Sequence, residues 1–110
     1  MPSSLTLPDP IAAYFVADTQ GPDQVAQCFT PKAGVNDNDE IFTGRDAIRA
    51  WKAAASARFA YTTEPFALEQ DSGHHIVSGR VTGNFPGSPV NLRYRFRLER
   101  GLIASLEITA

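Results

Sequence analysis

Five side chains combine a polar atom with a position on an inward-facing pattern: Tyr14, Asp37, Trp51, His75 and Tyr94. Tyr14 follows Ile11 on the apolar stripe of a short predicted helix, and Trp51 follows Ile48 on that of a longer one. Asp37 comes two residues after Val35, so an extended segment turns both to the same side. His75 shares a strand face with Val77, Val81 and Phe85. Tyr94 is the polar-tipped member of an apolar face made by Val90, Leu92, Phe96 and Leu98. These five are therefore the candidates to supply polar groups to an interior cavity. Each also has a plainer reading. A tyrosine taken singly satisfies its hydroxyl at the surface or on a carbonyl. His75 lies beside a turn and reads as solvated, and Asp37 in an Asn/Asp-rich segment reads as a turn residue. The pattern leaves both readings open.

Other chemistries are excluded more firmly. Asp37 and Asp39 look like the opening of a calcium loop, but position 41 is Ile and no glycine follows it. His74 and His75 are adjacent, so on a strand they point to opposite faces and cannot share a metal. Gly79 and Gly83 lie within a predicted strand and form no phosphate loop. Cys28 sits on an apolar stripe with no activating His or acid at helical spacing, so it reads as a small core residue. The run Arg93, Arg95, Arg97 reads as a solvated or subunit-contact face, paired across strands with Glu107 or Glu69.

The elements that must position these residues are legible in order. Asp9-Pro10 signals a helix start, with Ile11, Tyr14 and Phe15 as its buried stripe, ending before Gly21. Gly21-Pro22-Asp23 restarts the chain into a second short helix with Val25, Cys28 and Phe29 inward. The chain breaks at Thr30-Pro31, crosses an apolar segment at Ala33 and Val35, and meets a polar knot from Asn36 to Glu40. Thr43 and Asp46 predict a capping box for a third helix over 45–59, with Ile48, Trp51, Ala55 and Phe59 facing inward. Strands are then predicted over 61–70, interrupted at Pro65 by an edge or bulge, and over 74–85, 90–99 and 102–109. On the last, Leu102, Ala104, Leu106 and Ile108 share the inward face. Short turns between successive strands imply an antiparallel meander, and the whole an α+β domain with helices covering one face.

At 110 residues the chain makes one domain, 1–110, able to bury a core. Its net charge of -2 argues against a nucleic-acid partner. A single cysteine allows no internal disulfide and fits a reducing compartment, and no stretch has the length or apolarity of a membrane span. The opening residues MPSSLTLPDP carry no signal pattern, so a cytoplasmic location is expected.

Several strings together carry a resemblance over almost the whole chain. Tyr14 with Gly21 closing the first helix, Val35-Asn36-Asp37, Thr43-Gly44-Arg45-Asp46-Ala47-Ile48 and the closing strands from Tyr94 to Ile108 are similar to the nuclear transport factor 2-like superfamily. Within it the chain resembles the SnoaL-like polyketide cyclase and ketosteroid isomerase-like branch. That resemblance implies a cone-shaped α+β barrel, a cystatin-like roll, with three N-terminal helices packed in a strongly curved, mainly antiparallel sheet. It also implies an apolar pocket at the open end, a small apolar ligand, no cofactor or metal, and homodimers joined through the outer sheet face. Asp37 falls where the isomerases carry the base that removes a proton next to a carbonyl, and Tyr14 where they carry the enolate's hydrogen-bond donor. Trp51, Phe59, Phe85, His75 and Tyr94 would then line the substrate site. The chain departs from the isomerases in having Tyr94 in place of a second acid and Lys52 in place of a supporting tyrosine. The second acid that cyclases and epoxide hydrolases carry in the C-terminal half is missing too: beyond Asp71 the acids are Glu99 and Glu107, both on polar strand faces. Two functions follow: an enzyme abstracting an α-proton, of isomerase, cyclase or dehydratase type, or a non-catalytic ligand-binding or assembly protein.

Overall fold

The computed structural model describes residues 5–110, so the first four residues of the opening stretch, read above as lacking a signal pattern, lie outside it. Nine elements follow in order: α1 (Asp9–Ala17), α2 (Pro22–Gln27), β1 (Phe29–Asp37), β2 (Glu40–Thr43), α3 (Arg45–Arg58), β3 (Tyr61–Asp71), β4 (His74–Gly83), β5 (Val90–Glu99) and β6 (Leu102–Thr109). One six-stranded sheet runs in the order β2-β1-β6-β5-β4-β3. Strands β3 to β6 form the predicted meander, every pair antiparallel. The one parallel pair is β1 with β6, which joins the N-terminal half to the end of the meander. The result is the expected cone, with the helices packed in the concavity of a curved sheet.

The inward register on β5 is as alternation predicts. Tyr94 and Phe96 are buried, Leu92 and Leu98 pack against the core, and Arg93 and Arg97 face out. Pro65 does mark both an edge and a bulge: β3 is an edge strand, and its register with β4 shifts between Pro65 and Ala67. On β6 the parity prediction holds only in part. A bulge between the Arg97 and Leu98 pairs leaves Ala104 unpaired and sets Ile103 opposite Leu98. Ile103 is thereby fully buried and Leu102 half-exposed, the reverse of simple alternation.

Around β1 the reading needs three corrections. Phe29 does not close a helix but opens a strand, pairing with Ile103 of β6. The strand absorbs Pro31, which has no N–H to donate, through a register shift between Phe29 and Gly34. The polar knot is a hairpin: Asn38 and Asp39 both take positive φ, 54° and 72°, as a tight two-residue turn of the primed type requires. Asp37 is thus the last strand residue, opposite Glu40, and not part of the turn itself. Finally, no capping box forms. Gly44 is the α3 N-cap with φ 89°, Thr43 stays in β2, and Asp46 instead accepts from Arg49 at 2.7 Å. Likewise Asp9 lies inside α1, whose N-cap is Pro8.

Two strand glycines shape the interior. A Cβ at Gly79 would lie 3.2 Å from Tyr94 Cε1, so its absence gives the Tyr94 ring its place. A Cβ at Gly83 would collide with the carbonyl of Ala60, where β4 pairs with the start of β3.

Candidate active site

A cavity of about 480 Å³ opens at one end of the cone, between α1, α3 and the inner face of the sheet. Its walls include all three tyrosines of the chain and its one tryptophan. Of the residues singled out from sequence, Tyr14, Asp37, Trp51, Phe59, Phe85 and Tyr94 all line it. His75 does not. It sits near the opposite end of β4 from Val81, roughly 20 Å away along an extended strand. There it contacts Gln70 through Nε2 at 3.2 Å, while its buried Nδ1 has no partner among the described residues.

Asp37 is held by α3. The Trp51 indole Nε1 donates to its Oδ2 at 3.0 Å, and among the described residues no hydrogen bond engages Oδ1. Trp51 itself is 7% exposed and tilted against Phe42 of β2. The hairpin and the helix together therefore aim the carboxylate. Tyr14 is fixed from the other side, its ring edge-on to Phe29 and Phe96 with centroids 6.0 and 5.6 Å away. No hydrogen bond within the described residues engages its hydroxyl, which faces the cavity. Phe59 and Phe85 meet edge to face, 5.9 Å apart, at the more exposed rim.

Sequence reading missed a cluster at the deep end. Lys52 Nζ lies 2.8 Å from Asp18 Oδ1, with side chains only 6% and 8% exposed. The Tyr61 hydroxyl bridges them, accepting from Lys52 at 3.1 Å and donating to Asp18 at 3.2 Å. All three residues line the same cavity. The signal was present. Asp18 is four residues after Tyr14 and Lys52 four after Ile48, so each charge shares a helix face with a predicted core residue. Opposite charges on two inward stripes are a pair waiting to be matched.

Burial pushes the Tyr14 phenol well above its ordinary range, the nearby Lys52 ammonium opposing it, so Tyr14 remains a neutral donor. Burial pushes Tyr94 up to about 12 although a hydrogen bond from Thr63 works the other way. For Lys52, burial favours the neutral amine, but the facing phenols and Asp18 more than offset it, and the net shift is upward. At neutral pH the phenols are uncharged, so Asp18 is the ammonium's counter-ion, and Lys52 is no amine nucleophile. A consequence for stability follows. Below pH 10 the folded and unfolded chains both keep the Tyr94 proton; above it the unfolded chain loses that proton first. Stability is therefore expected to fall between pH 10 and about 12, with a shallower fall in Tyr94→Phe, read from denaturant midpoints against pH.

The site thus presents one carboxylate with an uncommitted oxygen, neutral phenol donors and a buried ion pair, inside largely apolar walls. Among the described residues no group of three or more His, Cys, Asp or Glu comes together as a metal site would need. No helix among them is long and apolar enough to cross a membrane.

No family model matches the chain, and no curated protein does. Solved structures do. A candidate polyketide cyclase from Sinorhizobium meliloti is 39% identical over 94% of this chain and 95% of its own, with a TM-score of 0.88. A Catenulispora acidiphila protein of ketosteroid isomerase-like fold, solved with trimethylamine, is 20% identical over 96% of this chain and 87% of its own, with a TM-score of 0.85. A nuclear transport factor 2-like protein from Cytophaga hutchinsonii, 13% identical over 99% of this chain and 93% of its own, has a TM-score of 0.74 and shares the fold. With the cone, the cavity and that 39% identity over nearly its full length, the chain belongs to the nuclear transport factor 2-like superfamily, in its SnoaL-like polyketide cyclase and ketosteroid isomerase-like branch.

Proposed function

We propose that the protein removes a proton from the carbon next to a carbonyl of a compact apolar substrate. Asp37 takes the proton as the C–H bond breaks, and the electron pair moves onto the carbonyl oxygen. Tyr14 donates to that oxygen, with Tyr94 as a second donor and Trp51, Phe59 and Phe85 as apolar walls. Isomerisation, aldol cyclisation or dehydration then follows from the enolate, according to the substrate. The observation carrying this reading is that one apolar cavity holds both a carboxylate and a phenol: among the described residues the first is tied by a single indole hydrogen bond and the second has no hydrogen-bond partner. A positioned base contributes about 10²–10⁴ in rate and an oxyanion donor roughly 10²–10³, so the two suffice for useful enolisation. Deuterium uptake at the α-carbon of apolar cyclic ketones in heavy water tests it without knowledge of the natural substrate. Exchange no faster than buffer across a broad panel favours the ligand-binding reading instead.

A second proposal concerns assembly. On the outer sheet face Arg93 bridges to Glu69 as anticipated, whereas Arg95 reaches Asp71 rather than Glu107, and Arg97 reaches Glu99. Alternating charges of this kind can re-pair across a two-fold axis, and we propose a homodimer through that face. Light scattering that shows only monomer at high micromolar concentration removes it. The free thiol of Cys28 fits the reducing cytoplasm, where we place the protein.

A further inference from the structure

The proton-transfer reading leaves the buried Lys52–Asp18 pair without a role, and stability does not supply one. Replacing such a pair by apolar side chains of similar volume is often neutral or stabilising. What sets this pair apart is where it holds the ammonium. Asp18 is the C-cap of α1 and Tyr61 opens β3, and they engage Nζ at 2.8 and 3.1 Å. So fixed, Nζ lies 4.3 Å from the ring centroid of Trp51, nearer than to the rings of Tyr14 and Tyr61, both at 5.7 Å.

The indole is thereby gripped. The ammonium lies over its ring, and Phe42 of β2 meets it with centroids 6.0 Å apart. A desolvated cation on an indole interacts more strongly than an exposed one, and it favours one ring orientation over the others. That orientation matters because the Nε1 hydrogen is what reaches Asp37 Oδ2, at 3.0 Å. Among the described residues this is the one hydrogen bond to the carboxylate, which is aimed only as well as the indole is held. A misplacement of about 1 Å at a reacting group costs roughly 10²-fold in rate.

We propose that the buried Lys52–Asp18 pair positions the carboxylate of Asp37: Asp18 and Tyr61 fix the ammonium on the Trp51 indole, and the fixed indole sets the direction of the carboxylate. Lys52 and Asp18 act through Trp51 and are positioning residues. The rate measurement below rests on reading Asp37 as the base; the indole measurement does not.

The chain has one tryptophan, so an isotope-labelled indole nitrogen gives a single N–H resonance. In the wild type its solvent exchange is expected to be slow. Asp37→Leu, which removes the acceptor, gives the position of the unbonded indole. Lys52→Met with Asp18→Asn leaves no unpaired charge. It is expected to speed the exchange about tenfold or more and to move the resonance toward the Asp37→Leu position. In the ketone assay the same variant is expected to lose about tenfold in kcat with little change in KM. Trp51→Phe removes the donor, so removing the pair in that background is expected to cost no further rate. An indole unmoved by loss of the pair overturns the inference. So does a rate loss confined to KM, or one that persists undiminished in Trp51→Phe. If the variant lacking both charges does not fold, Tyr61→Phe decides. It frees the ammonium from one partner and keeps the charges paired, and an unmoved resonance there overturns the inference equally. Ketone exchange absent from the wild type, with the indole still coupled to the pair, counts against the proposed reaction only. Exchange present with the indole uncoupled counts against this inference only.

Discussion

Asp37→Asn is expected to lower α-proton exchange by roughly 10²-fold or more while leaving the fold intact. The substitution keeps the side chain's shape, and an amide oxygen can still accept from the Trp51 indole that now bonds Oδ2 at 3.0 Å. What is lost is the group proposed to receive the proton. Asp37 terminates β1 beside a turn formed by Asn38 and Asp39, so the change strains no backbone. Circular dichroism and a melting curve matching the wild type would confirm that only chemistry was removed. Tyr14→Phe is expected to cost less than Asp37→Asn, because Tyr94 shares the cavity and stays protonated. Exchange left unchanged by Asp37→Asn would transfer the proton to another group, or to none.

Lys52→Met is expected to destabilise the protein by about 3–5 kcal/mol, a large share of a typical domain's stability. It leaves the Asp18 carboxylate 8% exposed, with the Tyr61 hydroxyl as its remaining partner among the described residues. The cost is that of an unpaired buried charge, so removing the second charge should undo most of it. Lys52→Met with Asp18→Asn is expected to recover to near the wild type, a strongly non-additive pair. Urea midpoints of the two single variants and the double variant measure this directly. A single variant within about 1 kcal/mol of the wild type would mean that water reaches the pair.

Most of the framework was legible because it depends on periodicity. Val35 and Asp37 two apart, Ile48 and Trp51 on a helical stripe, and the alternation from Val90 to Leu98 each state a direction for the side chain. What failed was whatever breaks a period. The Ala104 bulge reversed Leu102 and Ile103, and Pro31 disguised a strand as the aftermath of a helix. The short β2 was hidden because its two apolar residues, Ile41 and Phe42, are adjacent, so no period of two shows in four residues. In the site, the aromatic walls and Asp37 were found, but Asp18 and Lys52 were passed over because isolated charges are usually solvated. Only their partnership across two helices pays for burial, and partnership across helices is not a local signal. His75 erred in the opposite way: its face was right, but its distance along the strand was not considered.

The parallel seam between β1 and β6 also bears on when the site comes into being. Asp37 pairs with Ile108, Asn38 N–H donates to the Ile108 carbonyl at 3.3 Å, and Ile108 itself walls the cavity. The Asp37 carboxylate is thus positioned by a strand some 70 residues downstream, a closure that costs chain entropy before it is rewarded. During synthesis α1, α2 and the β1–β2 hairpin emerge early with an unpaired edge that only β6 can cover. A ribosome stalled before β6 would hold a nascent chain with no aimed carboxylate and an open strand edge, the species most exposed to aggregation and to chaperone capture.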